Sequence, residues 1–82
     1  MGVQIRFIGL NPSRKPFPPT REGYYLFKFP KGSQKETIKK ILLEFGVDPS
    51  GIAVAKNGNI VDLNEEVEEG DRLDITIILL GG

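Results

Sequence analysis

Residues 71–80 read Asp-Arg-Leu-Asp-Ile-Thr-Ile-Ile-Leu-Leu, ten positions with no glycine, proline or asparagine. Leu73, Ile75, Ile77 and Leu79 alternate there with Asp74 and Thr76. A two-residue apolar period marks a strand with one buried face, and a stretch this continuous belongs at the centre of a sheet. Ile78 and Leu80 fall on the opposite side of the strand, beside Asp74 and Thr76. Two apolar groups therefore stand partly exposed on that face, unless a loop or helix covers them. Gly81 and Gly82 follow directly.

Working back from this strand, Asp62 to Gly70 is acidic and non-periodic. Before it, Ile52-Ala53-Val54-Ala55 and Ile60-Val61 flank Asn57-Gly58-Asn59, and an Asn-Gly pair between apolar runs predicts a hairpin of two short strands. Ile38, Ile41, Leu42 and Phe45 are spaced as one apolar stripe of an amphipathic helix, with Gly46 suited to the left-handed position that ends it. The tetrad Ser33-Gln34-Lys35-Glu36 fits a capping box, so the helix is expected to start at Gln34 and run about 12 residues. Tyr24 to Phe29 is aromatic-rich and ends at Pro30, which predicts a second strand. Val3, Ile5 and Phe7 alternate with Gln4, Arg6 and Ile8, which predicts a first strand over Val3 to Ile8. Between these two strands, Pro12, Pro16, Pro18 and Pro19 exclude any sustained regular element. A connection of about 14 residues exceeds the usual hairpin loop of about two to five; it is either a functional element or a tolerated surface insertion.

The element order is strand, strand, helix, short strands, strand. It predicts an α+β fold of the ubiquitin-like β-grasp type, with a mixed four- to five-stranded sheet and one helix packed across one face. The first and last strands are then adjacent and parallel at the middle of the sheet. The expected organisation is a β-grasp domain over residues 1–80, carrying the proline-rich loop 10–23, and a flexible Gly-Gly tail over 81–82.

Composition narrows the chemistry. Apolar residues make up 39% of the 82-residue chain and charged residues 27%, as in ordinary globular domains. Cysteine and histidine are both absent, which removes disulfides, thiolate nucleophiles, the usual zinc ligands and the commonest general base. An enzyme is not expected. The run Glu65, Glu66, Glu68, Glu69 and Asp71 lacks the alternating ligands and central glycine of a calcium loop, so no metal site is expected. Eleven basic residues balance eleven acidic ones. Although Lys28, Lys31, Lys35, Lys39 and Lys40 make a candidate basic patch, zero net charge argues against nucleic-acid binding. Residues 1–47 nevertheless carry nine basic and three acidic groups, and 48–82 two and eight. That asymmetry either pairs strands across the sheet or marks docking faces. No apolar run approaches the roughly 20 residues of a membrane span, and the start lacks the layout of a secretion signal, so no membrane contact and a cytoplasmic address are expected.

From Ile52 onward the chain resembles the ThiS/MoaD branch of ubiquitin-like sulfur carriers. The resemblance rests on Val54-Ala55-Lys56-Asn57-Gly58-Asn59-Ile60-Val61, on Glu69-Gly70-Asp71-Arg72-Leu73-Asp74-Ile75 and on Gly81-Gly82. It implies a protein that binds no cofactor itself. A ubiquitin-activating-type adenylating enzyme would use ATP to adenylate the carboxylate of Gly82, which would then receive sulfur as a thiocarboxylate. The acceptor would be a sulfur-accepting enzyme of thiamin or molybdenum-cofactor biosynthesis, or of tRNA thiolation. Gly81 and Gly82 would form the tail entering the partner, and Ile78 and Leu80 would dock it. A tail without Cβ atoms has a physical rationale of its own, since the carboxylate has to reach a nucleotide phosphate through a narrow channel. The proline-rich loop departs from the family pattern by its length.

Two other functions fit the same features. Some members of the family are instead joined through the tail to lysines of a conjugation target, which would make the chain a protein modifier. A β-grasp interaction module with incidental glycines is the third reading, and it alone predicts that replacing Gly82 changes nothing.

Overall fold

The first and last strands lie side by side and parallel at the centre of a five-stranded sheet. In the computed structural model, which describes residues 2–15 and 19–78, β1 is Val3–Ile8, β2 Tyr25–Phe27, β3 Lys35–Thr37, α1 Ile38–Glu44, β4 Ile52–Lys56, β5 Asn59–Val61, β6 Glu66–Glu68 and β7 Arg72–Ile77. The sheet order is β2-β1-β7-β4-β5, with β3 and β6 forming a separate antiparallel ribbon. Only the β1–β7 pair is parallel, with Ile5 opposite Leu73 and Phe7 opposite Ile75. The expected α+β β-grasp fold is the observed one.

One face of the sheet carries the core. Val3 and Ile5 of β1, Leu73 and Ile75 of β7 and Val54 of β4 are buried against Ile38, Ile41, Leu42 and Phe45, the stripe of α1. Phe7, Tyr25 and Phe45 meet pairwise edge to face, with ring centroids 5.3–5.7 Å apart. Such geometry adds roughly 0.5–1.5 kcal/mol per pair beyond the area it buries. Asn57 and Gly58 form the hairpin turn with φ of 52° and 89°, the left-handed pair that a type I′ turn needs.

The helix start differs from expectation. It begins at Ile38, and Ser33-Glu36 is no capping box: the Ser33 hydroxyl donates to Lys35 O (3.2 Å), and the Glu36 carboxylate accepts from the Thr37 amide (3.1 Å). Residues 35–37 are instead strand β3, paired with β6, which runs through the acidic stretch expected to be non-periodic. Long-range bonding explains the change. The amides of Ile38 and Lys39 donate to Glu65 O and Leu63 O, both at 3.0 Å, and that of Lys40 to the Thr37 hydroxyl (3.3 Å). The first helical N–H groups, which always lack partners within the helix, are thus satisfied by the acidic segment and by Thr37. Val67, buried at the centre of β6, anchors that segment to the core.

The helix ends as anticipated. Gly46 has φ 66°, and the amides of Gly46 and Val47 donate to Leu43 O (3.0 Å) and Leu42 O (2.9 Å), the paired bonds of a Schellman motif. The proline-rich connection closes over this end. Pro12 is buried, the Ser13 hydroxyl donates to Gly46 O (2.6 Å) and the Arg14 amide to Phe45 O (3.0 Å). Residues 12–14 of the connection are therefore seated on the helix terminus.

The second and last strands are also shorter than expected, Tyr25–Phe27 and Arg72–Ile77. Ile77 is 37% exposed and lies outside the core, because β1 ends opposite Thr76 and leaves Ile77 without a neighbour on that side. Leu79 lies outside the described residues.

A Cβ on Gly46 would collide with the Ser13 hydroxyl and stand 3.2 Å from Arg14 Cγ, whereas one on Gly9 (φ 80°) would meet nothing within 4 Å. Gly46→Ala is expected to lose about 1–3 kcal/mol in urea unfolding, and more than Gly9→Ala. Equal losses would mean that the loop is not seated on the helix end.

Candidate functional site

The face of the sheet away from α1 is open. Alternation places Gln4, Arg6 and Ile8 of β1, Arg72, Asp74 and Thr76 of β7, Ala53 and Ala55 of β4, and Ile60 of β5 on it. Strand register aligns them in two rows, Arg6–Asp74–Ala55–Ile60 and Ile8–Thr76–Ala53. Ile60 is 77% exposed, Ile8 46% and Ile78 44%. Ala53 and Ala55 thus form a low apolar floor beside Ile60; Asp74 and Thr76 of β7 stand between that floor and Ile8, and Ile78 follows at the end of β7. Arg72 and Asp74 make a loose ion pair along β7, 3.9 Å apart (Nε to Oδ2), worth little while both are solvated.

Ile78 is the last described residue, and its amide donates to Gly51 O (2.8 Å), which ties the end of β7 to the turn before β4. β7 ends there, at the end of the sheet where β1 passes into the proline-rich connection. Of the site residues expected from sequence, Ile78 is on the open face, while Leu80, Gly81 and Gly82 lie outside the described residues. Ile8 and Ile60 were not among them. The signal was present, since Ile8 follows Gln4 and Arg6 on the polar side of its strand, and Ile60 stands opposite Ala55.

At the other end of the sheet the start of β7 is clamped by polar contacts. The Asn57 side chain accepts from the Arg72 amide (2.9 Å) and donates to Asp71 (3.0 Å), while the Asn57 amide donates to Arg72 O (2.8 Å). Burial works against ionisation of Asp71, but bonds from the Glu68 amide and Asn57, with the charge of Lys56, outweigh it and hold the carboxyl below the usual range. Lys56 bonds Glu65 (2.8 Å), and this contact, against the effect of burial, raises the ammonium above the usual lysine value. The acidic segment is therefore used in internal bonding, and among the described residues no three acidic side chains gather as metal ligands. No helix among these residues is long and apolar enough to cross a membrane.

A small β-grasp domain with one bare sheet face, whose central strand runs out toward a Gly-Gly end, belongs to the class of ubiquitin-like proteins. The family model described as the ThiS family matches residues 29–82, about two thirds of the chain, and the protein belongs to that family. It is accordingly a ubiquitin-like sulfur carrier rather than an enzyme. The match starts at Phe29, so β1, the proline-rich connection and β2 lie outside it. No curated protein and no solved structure matches the chain.

Because Asp71 has a lower pKa folded than unfolded, its stabilising effect is complete above the unfolded value of about 3.9 and is lost as pH falls through the folded value. Asn57→Gly keeps the turn but removes one of the bonds that lower the Asp71 pKa. Its thermal midpoint is expected to fall less steeply below about pH 4 than that of the parent protein. Parallel curves would show that Asn57 does not stabilise the Asp71 carboxylate.

Proposed function

We propose that this protein carries sulfur on the carboxylate of Gly82. A carboxylate oxygen attacks the α-phosphorus of ATP in a ubiquitin-activating-type partner and displaces pyrophosphate; a sulfur nucleophile then displaces AMP from the acyl-adenylate, leaving a thiocarboxylate. The observation that carries this reading is the family match, which runs through the central strand to Gly81 and Gly82. The glycines supply a lead slim enough for an active-site channel, and the rigid sheet fixes the point from which it starts. Ile78 and Leu80, with Ile8 and Ile60, supply the apolar contact that seats the carrier on its activating enzyme and then on the acceptor. The acceptor belongs to thiamin or molybdenum-cofactor biosynthesis or to tRNA thiolation.

Intact mass spectrometry of the protein from its native host tests this. A species with one terminal oxygen replaced by sulfur, localised to Gly82, is the expected result. Conjugates at lysines of other proteins, with no such species, would make the protein a modifier, and finding neither would leave an interaction module.

Gly82→Ala is expected to abolish or severely slow adenylation while changing stability by less than about 0.5 kcal/mol. Ile78→Asp should raise the KM for the carrier in the adenylation assay with little effect on kcat, since it weakens docking without touching the tail. An unchanged KM would remove Ile78 from the docking surface.

A further inference from the structure

Asn57 is the one asparagine in the chain that is followed by glycine. Asn-Gly is the pair in which the main-chain nitrogen most readily attacks the side-chain carbonyl, because glycine has no side chain to shield it. Both residues have positive φ, Asn57 is exposed, and a Cβ on Gly58 would have nothing within 4 Å. Solvent reaches the pair freely. Yet both ends of the Asn57 amide are engaged, Oδ1 by the Arg72 amide at 2.9 Å and Nδ2 by Asp71 at 3.0 Å. None of these groups belongs to the tail, and Arg72 of the open face takes part only through its main-chain amide.

We propose that Asn57 is a self-modification site gated by the fold, which deamidates when the corner between the β4–β5 hairpin and β7 opens and which cannot close again afterwards. In the reaction the Gly58 nitrogen bonds to Asn57 Cγ and loses its proton, ammonia leaves, and water opens the resulting succinimide to aspartate or isoaspartate. The net change is NH2 replaced by OH, with no oxidation or reduction. Reacting atoms have to approach to about 3–3.5 Å in line, and an amide held at both ends by Arg72 and Asp71 is not free to turn its carbonyl carbon toward the Gly58 nitrogen. The native contacts thus hold the amide unreactive.

The product explains the irreversibility. A carboxylate at position 57 offers no donor to Asp71 and places a second negative charge beside it, where the donor atom had stood 3.0 Å away. Glu68, whose amide bonds Asp71, adds negative charge nearby, and Lys56 is already held by Glu65. Isoaspartate further inserts a methylene into a two-residue turn. A molecule that has opened here stays marked and loosened at the start of its central strand.

The test follows deamidation at residue 57 by peptide mass spectrometry of the full chain at neutral pH, in buffer and in urea. The rate in buffer is expected to be at least about tenfold lower than in urea, because reaction waits on opening. Asp71→Ala, which frees Nδ2, should accelerate it in buffer, whereas Ile41→Val, a mild core change away from the corner, should accelerate it less than Asp71→Ala does. Equal rates in buffer and urea, or no greater effect of Asp71→Ala than of Ile41→Val, would overturn the proposal. Asn57→Asp should lower the thermal midpoint, and adding Asp71→Asn, which restores a donor, should recover part of it; no recovery would overturn the irreversibility.

Discussion

The structure depends on the parallel pairing of β1 with β7. These strands come from opposite ends of the chain and are the two that have a neighbour on both sides within the sheet besides β4. A parallel pair requires a crossover, and here that crossover is nearly everything else: β2, the β3–β6 ribbon, α1 and the β4–β5 hairpin. Closing so long a loop costs entropy before any contact offsets it. The buried Val3, Ile5, Leu73 and Ile75, packed beneath α1, offset that cost.

That arrangement separates the packed core from the proposed docking face. Core, aromatic cluster and helix lie on one side of the sheet, and Ile8, Ile60 and Ile78 on the other. Substitutions at Ile8, Ile60 or Ile78 therefore leave the packed side untouched. The polar clamp around Asn57 and Asp71 sits where β7 begins, and the Ile78–Gly51 bond where it ends, so both ends of the strand are fixed independently of the helix.

Element order, the parallel central pair, the helix stripe and the hairpin turn were legible because each is written in local periodicity or in a residue type with restricted backbone preferences. The helix start was not. Ser33 and Glu36 have the right spacing for a cap, but residues 35–37 find backbone partners some thirty residues away, and local pattern carries no information about such a partner. Lys35 stands opposite Glu68 in that ribbon, so part of the charge asymmetry between the two halves of the sequence is spent in register. β6 escaped notice because one buried Val67 between glutamates is too short for a period to show. On the open face, Ile78 was legible as an apolar residue on the polar side of its strand; Ile8 and Ile60 carried the same sign, Ile8 as the last residue of β1 and Ile60 in the three-residue β5. The seating of Ser13 and Arg14 on the helix terminus depends on carbonyls that any helix leaves bare, and nothing in the loop's own composition announces it.

The position of β7 also sets how the molecule responds to being pulled. Tension applied along the axis of β7 loads the bonds to β1 on one side and β4 on the other together, in shear, instead of opening them one after another. β7, bonded on both sides, therefore resists tension along its own axis better than an edge strand such as β2 or β5 would.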